Sequence, residues 1–78
     1  MKACVLIKTE PGTHIAVAKV VAQIKGVKAA FPVLGRTDVV ANVDAEGLAD
    51  VSQLVFKIGD LDGVTETETL IGMTEVQV

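Results

Sequence analysis

The side chains best equipped to do chemistry in this chain fall in two short stretches. Gly35-Arg36-Thr37-Asp38 sets a guanidinium, a hydroxyl and a carboxylate beside a glycine. From residue chemistry alone these four make an ordinary turn, in which Gly supplies a positive φ and Asp bonds to nearby backbone. Further along, Thr67 and Thr69 alternate with glutamates in Thr65-Glu66-Thr67-Glu68-Thr69. Their hydroxyls share one face of a strand, where they can bond a ligand, although threonine is equally a plain β-former.

The remaining reactive groups point away from catalysis. His14 stands at the start of a helix, and no Ser, Cys or carboxylate is spaced to complete a triad with it. Cys4 lies in an apolar run, where it reads as a small buried hydrophobe with a poorly reactive thiol. As the one cysteine it forms no internal disulfide, and no second Cys or His pair supplies a zinc-ligand spacing, so no metal site is expected. No pattern calls for a cofactor. Lys19, Lys25 and Lys28 flank a helix C-terminus, where cations are favoured, and no aromatic interleaves them.

The elements that must hold these groups belong to one domain over residues 1–78. A domain of that size buries only about 60 to 65% of the surface of its unfolded chain, so a further source of stability is expected. Half of the residues are apolar and only Phe31 and Phe56 are aromatic, which suits an assembly better than a solvated monomer. The formal charge of −3 opposes the phosphate backbone, so direct nucleic-acid binding is disfavoured. After Lys2 only five apolar residues precede Lys8. That is too short for a signal-peptide core or a membrane span, which makes the cytoplasm the default compartment.

Ala3 to Ile7 is a continuous apolar run closed by Thr9-Glu10-Pro11-Gly12, as in a buried strand and turn. Val17, Val21 and Ile24, widened by Ala18, then recur at helical spacing for about three turns. Thr13 is the expected N-cap, and Lys25-Gly26 the expected C-terminal stop. Val27 to Leu34 alternates as a strand with Ala29, Phe31 and Val33 on one face, and Pro32 assigns it to a sheet edge. After the Gly35–Asp38 turn, Val39 to Val43 is apolar on both faces, and Asp44 is expected to cap the next helix. There Leu48, Val51, Leu54 or Val55, and Ile58 repeat at helical spacing up to Gly59-Asp60-Leu61-Asp62-Gly63. Val64 to Met73 is threonine-rich and strand-like.

The halves echo one another. Ile24-Lys25-Gly26-Val27 resembles Leu61-Asp62-Gly63-Val64, and the same shift carries Gly35 onto Gly72, which makes the chain a doubled βαβ unit. Two such units close most readily as an α+β, ferredoxin-like βαββαβ domain. Its four-stranded antiparallel sheet has strands one and three at the centre and both helices on one face. Central strands apolar on both faces then require a cover for the second face, and the sheet of another copy is the simplest one.

Val5-Leu6-Ile7-Lys8-Thr9-Glu10-Pro11-Gly12, then Gly26-Val27, Gly35-Arg36-Thr37-Asp38 and Gly63-Val64-Thr65-Glu66-Thr67-Glu68-Thr69 appear in this order over nearly the whole chain. Together they resemble the effector-binding (RAM) domain of the Lrp/AsnC family of feast-famine transcription regulators. Family members normally carry a helix-turn-helix domain first, whereas here Met1 and Lys2 lead straight into the first strand, as in a stand-alone version without a DNA-binding domain. The resemblance implies sheet-to-sheet dimers, rings of dimers, amino acid effectors bound between dimers, and mixed assembly with full-length relatives. It also implies a ligand-binding role for Gly35, Arg36, Thr37, Asp38, Thr67 and Thr69. The turn would offer backbone groups and the Asp38 carboxylate to an amino acid, and Arg36 would pair a carboxylate. The family's turn is often followed by a bulky residue such as Tyr, and here Val39 follows it.

Two other classes use similar architecture. A dimeric α+β barrel enzyme needs an acid or base inside the barrel, and the inward candidates, His14 and Asn42, have no evident partner. An ACT-like regulatory domain is normally fused to an enzyme, for which this chain has no room. A metal chaperone would need a CxxC in its first loop. The expected function is therefore non-enzymatic: amino acid binding and homo-oligomerisation that modulate transcription.

Overall fold

A computed structural model describes residues 1–74 and 76. The elements run β1 (Lys2–Thr9), α1 (His14–Ala22), β2 (Val27–Pro32), β3 (Val39–Asp44), α2 (Leu48–Gly59) and β4 (Val64–Ile71). All four strands are antiparallel in one sheet of order β2-β3-β1-β4, so the two apolar strands are central and Pro32 lies on an edge, where its missing N–H costs no ladder bond.

Alternation along the central strands decides which face is covered. Ala3, Val5 and Ile7 on β1 stand opposite Val43, Ala41 and Val39 on β3, and all six are buried. Residues directly opposite in an antiparallel pair share a face, and this one packs against the helices. Val17, Ala18 and Val21 of α1 join Val51, Leu54 and Ile58 of α2 in the same core. The helices thus cover one side of the sheet and leave the other bare.

The internal echo is visible in the turns. Val27 N–H donates to Ile24 O at 3.1 Å after α1, and Val64 N–H donates to Leu61 O at 3.2 Å after α2. Gly26 and Gly63 both take a positive φ, +99° and +91°. A Cβ on Gly26 would sit 3.0 Å from Leu54 Cδ1, and one on Gly63 would sit 3.2 Å from Val17 Cγ2. Each helix therefore packs on the turn that ends the other, and the interval from Gly26 to Gly63 is also the interval from Val17 to Leu54. The echo does not reach Gly35 and Gly72. Gly35 has open space around it, whereas a Cβ on Gly72 would meet Lys2 O at 2.9 Å.

Several element ends differ from expectation. Helix α1 stops at Ala22 with Gln23 as its C-cap, so Ile24, Lys25 and Gly26 form the turn beyond it, and the basic residue of the last helical turn is Lys19. Thr13 holds the N-cap position without a side-chain cap bond, and its hydroxyl donates to Glu10 O at 2.7 Å. Asp44 does not cap α2. It ends β3, its Oδ1 lies 3.6 Å from the Met1 ammonium, and the N-cap is Gly47. Strand β2 ends at Pro32, which leaves Val33 and Leu34 in the following loop, and β4 ends at Ile71, short of Met73.

The middle of the bare face is largely apolar, with charged pairs at its ends. Phe31, Val40, Leu6 and Glu68 lie side by side across the four strands, followed by Ala29, Asn42, Cys4 and Leu70. Phe31 remains 43% exposed and Leu70 50%.

Candidate functional site

The loop from Val33 to Asp38 is pinned to the end of β1 by three bonds. The Thr37 hydroxyl donates to Ile7 O at 2.8 Å, and the Asp38 backbone N–H donates to the same oxygen at 2.9 Å. In return, Thr9 N–H donates to Asp38 Oδ2 at 2.8 Å. A fourth bond, from Val33 N–H to Asp38 O at 2.9 Å, closes the loop on itself. The positive φ of Gly35, +151°, lets the chain reverse at that point.

Beside this loop is a cavity of about 560 Å³, within the range of small-molecule sites. The loop contributes Val33, Leu34, Gly35, Arg36 and Thr37, β1 contributes Leu6 and Lys8, and β4 contributes Glu66, Thr67 and Glu68. Leu6 stands opposite Glu68, and Lys8 opposite Glu66. These four belong to the bare face of the sheet. Lys8 Nζ lies 3.5 Å from Glu66 Oε2, in an exposed ion pair of the kind worth about 0 to 1 kcal/mol.

The residues expected to form one site are therefore only partly together. Gly35, Arg36, Thr37 and Thr67 line the cavity. Asp38 stands behind it, with its carboxylate turned to the Thr9 backbone. Thr67 and Thr69 stand opposite Ile7 and Val5, which assigns them to the helix side of the sheet. Thr69 lies away from the cavity, in a shallow groove of about 260 Å³ between α2 and β4 that also includes Leu48, Ser52 and Phe56. In place of a pair of threonine hydroxyls, β4 presents the carboxylates of Glu66 and Glu68 on the cavity side.

Sequence reasoning missed Leu6, Lys8, Val33, Leu34, Glu66 and Glu68. The alternation of β4 offers either its threonines or its glutamates to a given face, and only the pairing with β1 chooses between them. Among the described residues no group of three His, Cys, Asp or Glu could hold a metal ion, and no helix is long and apolar enough to cross a membrane.

Known proteins share this architecture. A protein of Thermus thermophilus superposes with a TM-score of 0.93 at 28% identity, over 99% of this chain and 98% of that one. A hypothetical protein of Pyrococcus horikoshii gives 0.85 at 28% identity, over 95% and 90%. Escherichia coli AsnC shares the fold, with a TM-score of 0.87 at 18% identity, and the match takes in 99% of this chain but 53% of AsnC. No curated protein matches at the level of sequence. The model of the Lrp/AsnC ligand binding domain matches residues 2–77, which takes in the whole βαββαβ unit and its loop-side cavity, and the chain therefore belongs to the Lrp/AsnC ligand-binding domain family.

Proposed function

We propose that this domain binds a free amino acid in the cavity beside the Val33–Asp38 loop and assembles with copies of itself through the bare sheet face. It acts by binding and not by catalysis. Family membership supports a regulatory role. The observation that carries the ligand reading is the cavity wall, where Lys8, Arg36, Glu66 and Glu68 stand beside Leu6, Val33 and Leu34. Charges of both signs next to aliphatic groups suit a small zwitterion with an apolar side chain.

Assembly follows from the bare face, because Phe31, Val40, Leu6 and Leu70 leave water only when a second surface covers them. A second copy does so by sheet-on-sheet packing in a dimer. Dimers would join into rings, and an effector in a cavity whose strand wall belongs to the bare face would bear directly on the contact between copies; mixed assembly with a full-length relative would carry that change to transcription. The site of action is the cytoplasm, without membrane attachment or direct contact with DNA.

The enzyme alternative has little to work with. His14 is exposed at the start of α1, Asn42 is exposed on the bare face, and no polar or charged side chain is buried among the described residues.

Light scattering and thermal melting at micromolar concentration test the reading together. The expected mass is a multiple of 8.1 kDa, and the melting temperature should rise with the concentration of one or more amino acids, as ligand linkage requires. A mass of 8.1 kDa with no thermal response to any of the amino acids would overturn it.

A further inference from the structure

We infer that the outer edge of β4 is a second interaction surface, on which the β4 strand of another copy pairs antiparallel about Thr69 and joins dimers side by side. This seam rests on the sheet-face dimer proposed above. Among the described residues β4 has β1 on one side and no strand on the other. Gly72 N–H donates to Lys2 O at 2.8 Å. Backbone groups alternate sides along a strand, so Leu70 and Glu68 also turn theirs to β1, whereas Thr67, Thr69 and Ile71 turn their N–H and C=O groups outwards. The opposite edge of the sheet is blunted. Strand β2 is shorter, shifts register between Val27 and Ala29, and carries Pro32, all features that discourage pairing with another strand.

A helix stripe beside this edge is uncovered too. The groove between α2 and β4 holds Leu48, Ser52, Val55 and Phe56 next to Thr69 and Ile71, with Phe56 72% exposed and Leu48 59%. A two-fold axis through Thr69, perpendicular to the sheet, satisfies both features at once. It continues the sheet across the seam and brings the α2 stripes of the two copies to the same side, where their apolar groups leave water. A foreign strand would satisfy the backbone but bring no matching helix.

Charge fixes the register. Pairing centred on Thr67 sets Glu66 opposite Glu68 of the second copy, and pairing centred on Glu68 sets that carboxylate against itself. Like charges directly opposite are destabilising. Centred on Thr69, pairing sets Glu68 opposite Leu70 and Glu66 opposite Gly72, while Thr67 meets Ile71, so every outward residue finds a strand partner. Centred on Leu70, Thr67 would meet Met73, beyond the end of the strand. Free edge groups already bond to water, so each new bond contributes modestly, and a single seam does not offset the freedom lost on association. A sheet-face dimer offers two β4 edges, and engaging one raises the effective concentration at the other. The seam therefore forms between dimers and not between monomers.

Cross-linking of the assembled protein reads the register, in chains whose native thiol is removed by Cys4→Ser. Residues opposite one another in a hydrogen-bonded pair have Cα atoms about 5.5 Å apart, within disulfide range. Thr69→Cys should therefore give a covalent dimer under copper–phenanthroline oxidation. Thr67→Cys should not, because its two copies would stand about 13 Å apart along the seam. Thr69→Pro removes an outward N–H without touching a bond to β1, so the fold should survive, as circular dichroism verifies. Sedimentation at micromolar concentration should then show twice the 8.1 kDa of one chain where the parent sediments as a larger species. Phe56→Lys, at an exposed position, should do the same from the helix side. A parent no larger than the dimer, both variants at the parental mass, or cross-linking at Thr67 in place of Thr69 overturns the seam while the sheet-face dimer stands. A parent of 8.1 kDa overturns both.

Discussion

The Oδ2 atom of Asp38 accepts the backbone N–H of Thr9 at 2.8 Å and so fastens the loop before β3 to the end of β1. A carboxylate used in this way is a structural latch, and its removal leaves a partly buried donor unsatisfied. Asp38→Ala should lower stability by about 1 to 3 kcal/mol, a fall in melting temperature of several degrees for a domain of this size. Asp38→Asn, which keeps an acceptor oxygen, should lose much less. Urea unfolding of the three proteins checks the order; an Asp38→Ala protein as stable as the parent would remove the latch from the account.

A second stability contrast comes from the paired glycines. A Cβ on Gly63 would lie 3.0 Å from Thr13 Oγ1 and 3.2 Å from Val17 Cγ2. The Thr13 hydroxyl is held by Glu10 O, and Val17 is buried with a stiff χ1. At Gly26 the nearest atom is the end of the flexible Leu54 side chain. Both substitutions to Ala incur about 1 to 2 kcal/mol for the positive φ, and Gly63→Ala should add about 1 to 3 kcal/mol of overpacking. Denaturation midpoints should therefore fall further for Gly63→Ala than for Gly26→Ala.

The bare face predicts how assembly is lost. Val40 stands between Phe31 and Leu6 in the row that crosses the sheet. Val40→Lys should place an unpaired charge in the contact between copies, which is costly when desolvated. Sedimentation should then show the 8.1 kDa monomer where the parent sediments as an oligomer, with far-UV circular dichroism unchanged. An unaltered oligomer would mean that copies meet through another surface.

Binding to DNA is predicted to be absent. With a formal charge of −3 the chain has no surplus of cations to displace counterions from phosphate. Fluorescence anisotropy of a random duplex should stay flat as the protein is added at physiological salt. A salt-sensitive rise would contradict this.

Much of the fold is legible in the residues because it depends on strong, repeated signals. The two-faced apolar runs of β1 and β3 mark them as central, Pro32 marks β2 as an edge, and the Gly26 and Gly63 echoes mark the doubling. Element ends are less legible, since they turn on local competition. The Thr13 hydroxyl prefers the Glu10 carbonyl to the helix N-terminus, and Asp44 is retained by β3 and the Met1 ammonium. The site is the least legible part. Gly35, Arg36 and Thr37 stand out as a polar turn, but which side of β4 joins them depends on the pairing of Leu6 with Glu68 and of Ile7 with Thr67. Shifting that register by one residue would exchange the two sets. Asp38 has the same chemistry whether it bonds a ligand or the Thr9 backbone, and only the position of β1 decides.

The most direct test of the central claim is a crystal structure of the protein grown with an equimolar mixture of the twenty amino acids. The account predicts copies related by a two-fold axis with their bare sheet faces apposed, and density for an amino acid beside the Val33–Asp38 loop. Monomers with uncovered sheets and an empty cavity would contradict it.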